Sequence, residues 1–231
     1  MCGRFAFAIG PTRLAAILGV EPPREHRPCW NVAPDMKILI VRRSPEGLEA
    51  VLARWGFLAP WMSDPNDPGR QINARLETAA QKPMFRSALV KGRCIVPADG
   101  FFEWQKQPEG PSRPFFVRPA DHELLLMAGL WRRNRLEDGI LIDTVAILTR
   151  PAGATLHAIH PRMPVLLPER LVDPWLATKP ASTNLLRELL DGSHDAPRLD
   201  VRVVGRAIND PRNDTPSVIE PITVDFQPDL F

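Results

Sequence analysis

The sequence predicts an α+β protein, a mostly antiparallel, β-rich single domain with a barrel-like sheet and short helices. Three observations support this class. The 231 residues include 26 prolines and 14 glycines, which divide a chain into many turns and leave little room for long helices. Short apolar or β-branched runs outnumber helical patterns along the chain. No Gly/Ser-rich linker and no internal repeat separates two halves.

Eight runs have the composition of strands, because they are short, rich in β-branched or aromatic residues, and bounded by Pro, Gly or Asp. They cover residues 37–43, 49–57, 93–105, 114–118, 123–133, 140–149, 163–167 and 199–205. Several are apolar throughout, which predicts burial of both faces.

Helical signals are fewer. Short helices are expected at residues 11–18, at 76–89 with an interruption at Pro83, and at 153–159, 168–176 and 182–191. Gly19 and Gly192 stand just past two of these ends, where glycine is favoured. The last helix also has Ser and Thr at its start to cap it.

The composition excludes several classes of protein. No run of about 20 apolar residues is present, so no membrane span is expected. The start of the chain lacks the pattern of a signal peptide. The cysteines at positions 2, 29 and 94 form no CxxC pair, which excludes a thiolate zinc finger and indicates a reducing compartment. We expect a soluble, cytoplasmic monomer without a cofactor.

Charge is divided unevenly along the chain. Residues 1–118 carry 17 Lys and Arg against 11 Asp and Glu, and residues 119–231 carry 12 against 16. Arginine supplies 24 of the 29 cationic side chains. Two explanations remain open at this stage: GC-rich coding, or a basic surface whose forked guanidinium donors contact phosphate.

Cys2 directly follows the initiator methionine. A small second residue generally permits removal of Met1, and Cys2 would then carry an α-amine and a thiol on adjacent carbons. Both groups are partly nucleophilic near neutral pH. Such a 1,2-aminothiol condenses with an aldehyde to a Schiff base, which the thiol closes to a thiazolidine. If Met1 is retained, Cys2 is an ordinary second residue.

Six blocks stand out along the chain: MCGRF (1–5), WNVAP (30–34), WGFLAPW (55–61), INARLET (72–78), PADGFFEW (97–104) and IHPRMPV (159–165). In this order they resemble the SRAP family of abasic-site processing proteins that crosslink to damaged DNA. The departures are small: Trp30 replaces a usual tyrosine, and Cys29 stands where arginine is expected.

The resemblance implies a target and four catalytic residues. The target is an abasic site in single-stranded DNA, whose opened deoxyribose is an aldehyde. Cys2 would capture that aldehyde. Glu103, in an apolar strand, would act as general acid and base with a raised pKa. His160 would transfer a proton to the opening sugar, and Asn73 would orient the amine or a sugar hydroxyl. The HxxH spacing of His157 and His160 lacks a third ligand, so no metal is expected.

A second group of residues is expected to bind DNA. Arginines would contact phosphates, and aromatic rings would stack on unpaired bases. The predicted set is Arg4, Asn31, Pro34, Trp61, Arg75, Phe85, Arg86, Trp104 and Arg162. For Asn31, a second polar role and a turn cap before Pro34 stay equally open. Trp55 is expected in the core, whereas Trp61 and Phe85 are the candidates for a wedge between bases.

The chain ends in QPDLF, which resembles the QxxLF-type peptide by which bacterial repair and replication proteins bind the DNA sliding clamp. Gln227 would make a polar anchor, and Leu230 and Phe231 would enter an apolar pocket. The alternative is that these apolar residues fold back onto the domain. The expected organisation is therefore a domain over residues 1–224 and a tail over residues 225–231.

Two rival functions remain open from the sequence. A class of glutamine amidotransferases also begins MCG, with a Cys2 thiol that attacks an amide. This alternative leaves the INARLET and PADGFFEW blocks unexplained. The other alternative is a single-strand binder that uses the same basic and aromatic surface without covalent chemistry. Within the SRAP family, β-elimination and a self-processing peptidase activity are implied as further possibilities.

Overall fold

The computed structural model describes residues 2–120, 124–192 and 197–223. Its strands are β1 (Phe5–Phe7), β2 (Cys29–Val32), β3 (Lys37–Ser44), β4 (Gly47–Trp55), β5 (Asn73–Arg75), β6 (Arg93–Ala98), β7 (Gly100–Gln105), β8 (Arg113–Pro119), β9 (Leu125–Arg135), β10 (Leu141–Pro151), β11 (Arg162–Pro164) and β12 (Leu199–Val203). Its helices are α1 (Pro11–Leu18), α2 (Leu76–Ala79), α3 (Pro83–Lys91), α4 (Ala154–His157), α5 (Glu169–Leu176) and α6 (Thr183–Asp191), with 3-10 turns at Arg206–Asn209 and Pro216–Ile219. No described helix is long and apolar enough to cross a membrane.

Five strands close into a barrel in the order β10, β4, β3, β6, β9 and back to β10. All neighbouring pairs in this ring are antiparallel except β4 and β10, which run parallel. Buried aliphatic side chains such as Val41, Ile95 and Val145 belong to its core. The predicted fold class, mostly antiparallel with a barrel-like sheet and short helices, is confirmed.

A second, open sheet has the strand order β12, β8, β7, β1, β2. The sequence run 93–105 was expected to be one strand, but it divides at Asp99 into β6 of the barrel and β7 of the open sheet. A Cβ on Gly100 would lie 2.5 Å from the ring of Phe116, so only glycine permits the close approach of β7 to β8 at the division. The Asp99 carboxylate accepts a hydrogen bond from the backbone N–H of Ala8 at 2.6 Å.

Three strands, β1, β2 and β5, have no counterpart among the predicted runs. Each has only three or four residues, which is too short for a periodic pattern to be recognised. They form through tertiary pairing: β1 pairs with the longer β7, β5 pairs with the longer β10, and β2 pairs with β1. The helix predictions agree better with the structure: the Ser182 hydroxyl accepts a hydrogen bond from the Leu185 N–H at the start of α6, and Gly192 has a φ of +80° at its end.

The carboxyl end of β10 determines where the site forms. Thr149 on β10 is the register partner of both Arg75 on β5 and Pro164 on β11. β10 therefore lies between these two short strands. This arrangement places the segment that follows residue 72 beside the segment that follows residue 159, although 87 positions separate them in the sequence.

Candidate active site

Cys2 lies just before β1 and is fully buried. Its carbonyl accepts a hydrogen bond of 2.8 Å from Asn73 Nδ2. The Arg4 backbone N–H is hydrogen-bonded to the Cys2 thiol. Burial, and secondarily the nearby Glu103 carboxylate, raise the pKa of the Cys2 thiol well above its usual range. The sulfur is thus a protonated thiol at neutral pH and needs a base before it can attack.

Glu103 supplies a carboxyl group next to Cys2. It lies on β7 opposite Phe115 of β8, and it is 4% exposed. Phe101, two positions earlier on the same face of β7, is fully buried, so the carboxyl group sits in a largely apolar environment. Burial raises the pKa of Glu103 from 4.5 to about 7. Both protonation states of Glu103 are therefore populated near neutral pH, as a group that both gives and takes protons requires.

His160 follows α4 and precedes β11. Its Nδ1 lies 3.9 Å from Glu103 Oε1, 3.0 Å from the backbone nitrogen of Arg162 and 3.1 Å from the Arg162 carbonyl oxygen. Partial burial lowers the pKa of His160, with the positive charge of Arg162 among the smaller causes. The ring is neutral at pH 7, and accepting the Arg162 N–H at Nδ1 favours the tautomer with its proton on Nε2.

Asn73 is the fourth member of this group. Its side chain is buried, with 8% exposure. While Nδ2 donates to Cys2, the buried Oδ1 has no hydrogen-bond partner within the described part of the chain. A buried amide oxygen without a partner costs free energy. Asn73 thus offers a hydrogen-bond acceptor beside Cys2.

The structure brings together all four residues that the sequence suggested for catalysis. Cys2 precedes β1 and Glu103 lies on β7, and both strands belong to the open sheet. Asn73 lies on β5 and His160 precedes β11, and both of these strands pair with β10 of the barrel. The site lies where the two sheets meet. His157 is exposed on α4, and the described residues contain no group of three or more His, Cys, Asp or Glu that could hold a metal ion.

Arg4 and Asn31 are more buried than DNA-contacting groups usually are. Arg4 Nη1 donates to Asn31 Oδ1 at 2.6 Å and to the Ile208 carbonyl at 2.9 Å. Asn31 is fully buried, and its Nδ2 donates to the carbonyls of Asp210 and Asn213. None of these bonds caps the turn before Pro34, and the second polar role of Asn31 stays a prediction. Asn31 links β2 to the segment after β12. Pro34, three residues later, is half-buried.

The other arginines differ in exposure. Arg75 and Arg86 are exposed, as phosphate contacts would require. Arg162, in contrast, has a side chain only 13% exposed, and its guanidinium forms a bidentate ion pair with Glu77. It also donates to the carbonyl and the hydroxyl of Thr149. Most donors of Arg162 are therefore engaged inside the protein.

The aromatic residues divide into surface and core. Trp61 is 64% exposed, and Trp104 is half-buried with its Nε1 donating to Asn209. Trp55 is fully buried, as expected. The stacking role predicted for Phe85 is wrong. Phe85 is 2% exposed and packs against Phe57 at a centroid distance of 5.3 Å, because it lies on the face of α3 that packs into the core.

The chain is similar to known proteins over most of its length. The family model described as SOS response associated peptidase (SRAP) matches residues 1–211. The chain belongs to the SRAP family. It is 32% identical to the abasic site processing protein YoqW of Bacillus subtilis, over 95% of this chain and 99% of YoqW. It is 31% identical to the abasic site processing protein YedK of Escherichia coli, over 96% of this chain and all of YedK.

The SRAP fold also matches a solved structure. A protein from Bordetella bronchiseptica superposes with a TM-score of 0.74 at 28% identity, over 88% of this chain and the whole of that protein. A protein from Bacteroides thetaiotaomicron, with a TM-score of 0.83 and 22% identity over 96% of this chain and all of that one, shares the fold.

Glu77 and Asp35 form ion pairs near the site or its neighbouring loop that were not predicted from the sequence. Glu77 pairs with Arg162, and its place in the INARLET block four residues after Asn73 was the available signal. Asp35 has a φ of +73°, uncommon for a residue other than glycine. It binds Arg70 and Arg54 through its carboxylate, which fixes the base of the loop that carries Trp61. No local pattern indicates this pairing.

Proposed function

We propose that this protein is an abasic-site sensor that crosslinks covalently to abasic sites in single-stranded DNA through a thiazolidine at Cys2. It shields the lesion and releases it slowly. The observation that carries the proposal is the placement of one potential aminothiol against an amide, a carboxyl group of raised pKa and a neutral imidazole. The similar proteins YoqW and YedK are named abasic site processing proteins, which supports the same target.

The first step is imine formation. The α-amine of Cys2, exposed by removal of Met1, attacks the aldehyde carbon of the opened deoxyribose and forms a carbinolamine. Protonated Glu103 gives its proton to the carbinolamine hydroxyl, which leaves as water, and the nitrogen lone pair forms the C=N bond. The pKa of about 7 allows Glu103 to hold that proton at neutral pH.

The second step closes the ring. The Glu103 carboxylate produced in the first step takes the proton of the Cys2 thiol, and the sulfur attacks the imine carbon. The C=N electron pair returns to the iminium nitrogen, which still carries its own hydrogen, so the five-membered thiazolidine contains a secondary amine and Glu103 ends protonated as it began. Overall, one water is released and no redox partner is needed. Because the thiol pKa is raised, this base is essential.

His160 and Asn73 act on the sugar and the amine. Neutral His160 donates its Nε2 proton to the ring oxygen and recovers one from the anomeric hydroxyl as the closed deoxyribose opens to the aldehyde, and the same exchange assists reversal. The Asn73 Oδ1, buried beside Cys2, accepts a hydrogen bond from the amine and aims its lone pair at the aldehyde. β-Elimination through the imine and removal of Met1 by self-processing are compatible with the same groups, and both belong to this proposal.

The DNA strand is proposed to bind exposed residues of the basic part of the chain, residues 1–118. Arg75 and Arg86 are exposed and suit phosphate contacts, and Trp61 presents a ring on which an unpaired base can stack. Arg4, Arg162 and Trp104 lie near the site but bond mainly to the protein, so their role in DNA binding is to shape this surface.

One incubation tests the function. The protein is mixed with matched single-stranded oligonucleotides that carry either an abasic site or an intact base, and the products are separated under denaturing conditions and weighed by mass spectrometry. We expect an adduct only with the abasic strand, with the mass of protein lacking Met1 plus DNA minus one water. Binding without an adduct, and glutamine hydrolysis, are the results expected of the two rival functions and would refute the proposal.

Replacing Trp61 with alanine is expected to weaken binding of undamaged single-stranded DNA by about 5- to 150-fold, since one stacked base contributes about 1–3 kcal/mol. Fluorescence anisotropy at one fixed salt concentration measures this change. Ile140→Ala is the matched control, because Ile140 is also apolar and 56% exposed. Equal affinity of both variants would show that Trp61 does not contact DNA.

The tail gives a separate prediction. Residues 227–231 lie outside the described residues, and the clamp-binding role of Gln227, Leu230 and Phe231 stays a proposal. Deletion of residues 227–231 is expected to abolish co-elution with a purified bacterial sliding clamp without changing DNA crosslinking. Ile222→Ala serves as control for a nearby exposed apolar residue. Co-elution of the truncated protein would refute clamp binding through this peptide.

A further inference from the structure

Arg162 lies next to the active site without presenting its guanidinium to solvent. Its Nη1 and Nη2 contact the two carboxylate oxygens of Glu77, the second at 3.0 Å, and Nη2 also donates to the Thr149 carbonyl at 2.8 Å. A bidentate pair of this kind fixes direction as well as distance. Contacts with Glu77 and with Thr149 of β10 therefore fix the position of the Arg162 side chain.

The backbone of the same residue contacts the imidazole of His160. The Arg162 N–H donates to Nδ1 at 3.0 Å, and the Arg162 carbonyl lies 3.1 Å from the same nitrogen. The N–H contact is a hydrogen bond when Nδ1 carries no proton. The carbonyl contact is a hydrogen bond when Nδ1 is protonated. The position of the Arg162 backbone therefore decides the orientation of His160 and its distance of 3.9 Å from Glu103.

Glu77 is also tied to the other side of the site. It lies in the first turn of α2, directly after β5, whose first residue Asn73 holds the Cys2 carbonyl. β5 and β11 both pair with β10. The Glu77–Arg162 ion pair thus crosses the end of β10 and links the segment carrying Asn73 to the segment carrying His160.

We propose that Glu77 is a positioning residue for His160, which it orients through the bidentate ion pair with Arg162. Glu77 does not touch the DNA or the reacting atoms in this scheme. The inference rests on the proposed function for its kinetic consequence, but its structural content concerns the unliganded protein.

The first test is spectroscopic and needs no DNA. Nitrogen-15 NMR of the imidazole, with His160 assigned through His160→Gln, reports the tautomer. We expect a single Nε2–H tautomer in the wild type and a mixture in Glu77→Gln. Glu49→Gln is the matched control, since Glu49 also pairs with a largely buried arginine, Arg42, on the barrel. An unchanged His160 spectrum in Glu77→Gln, or an equal change in Glu49→Gln, overturns the proposal.

Arg162→Lys provides a second variant in case Glu77→Gln folds poorly. It keeps the positive charge and removes the forked geometry, so we expect the same tautomer mixture. A wild-type spectrum in Arg162→Lys overturns the proposal.

The second test is the rate of adduct formation at saturating abasic DNA. We expect a loss of about 10- to 100-fold in Glu77→Gln, the size expected when a reacting group is misplaced by about 1 Å. Glu49→Gln should stay within about twofold of the wild type. A wild-type rate in Glu77→Gln contradicts the positioning role. Absence of any adduct with wild-type protein would instead refute the proposed function, and the NMR result would still decide the role of Glu77.

Discussion

Replacing Cys2 with alanine is expected to abolish the denaturation-resistant adduct with abasic DNA. Alanine keeps a small second residue and therefore an α-amine at the same place, but it removes the sulfur that closes the ring. The remaining Schiff base hydrolyses during denaturing electrophoresis. The adduct should consequently disappear on the gel and reappear only when borohydride reduces the imine before denaturation.

Cys94→Ala is the control for this result. Cys94 is fully buried like Cys2, and it lies on β6 inside the barrel rather than at the site. This variant should form the adduct at the wild-type rate. A stable adduct in Cys2→Ala without borohydride would show that the link is not a thiazolidine. A thiol-independent link would then point to a lysine or to the amine alone.

Replacing Glu103 with glutamine is expected to slow adduct formation by about 10²- to 10⁴-fold, the contribution typical of a general acid or base. Glutamine keeps the shape of the side chain and cannot exchange a proton at neutral pH. Imine formation requires protonated Glu103 and thiol deprotonation requires its carboxylate, so the wild-type rate of adduct formation should have a maximum near pH 7. In Glu103→Gln this maximum should be absent.

The same substitution has a consequence for stability that checks the raised pKa independently. The pKa of Glu103 is about 7 in the folded protein against 4.5 ordinarily, so the folded state holds this proton more tightly than the unfolded state. The stabilisation of the folded state by this tighter proton binding is fully present below about pH 4.5 and is lost as the pH rises through 7. Glu103→Gln should therefore raise Tm relative to wild type at pH 8 more than at pH 4.

Glu109→Gln is the control for both experiments, because Glu109 is exposed in the loop after β7. It should leave the rate, its pH profile and Tm unchanged. A Glu103→Gln protein with wild-type rate and an unchanged pH profile would remove Glu103 from the mechanism. A Tm difference that does not depend on pH would show that burial does not raise the pKa of Glu103.

Much of the fold could be predicted because composition and pattern act locally. The abundance of proline and the short β-branched runs predicted the antiparallel, barrel-like architecture. Cap residues such as Ser182 located helix ends correctly. The division of residues 93–105 between two sheets could not be predicted, since it depends on the close packing of Gly100 against β8. Strands as short as β5 exist only because longer strands pair with them.

For the site, the sequence identified residue types but not their orientation. It predicted Phe85 as a base-stacking ring, and the structure buries this ring against Phe57. It assigned Arg162 to phosphate without indicating that Glu77 occupies the guanidinium. Whether an arginine or an aromatic ring faces solvent depends on what packs above it, and that neighbour comes from a distant part of the chain.

The sequence by itself determined which chemical groups this SRAP protein carries: a cysteine at the second position, a carboxyl group within an apolar strand, and a histidine and an asparagine in separate blocks. Only the tertiary structure decided that these groups meet. Pairing with β10 places Asn73 on β5 near His160, which precedes β11, and Cys2, 71 positions before Asn73, becomes its hydrogen-bonding partner. The tertiary structure also decided their protonation, since the pKa of a thiol or a carboxyl group depends on burial and on neighbouring charges, and a linear sequence specifies neither.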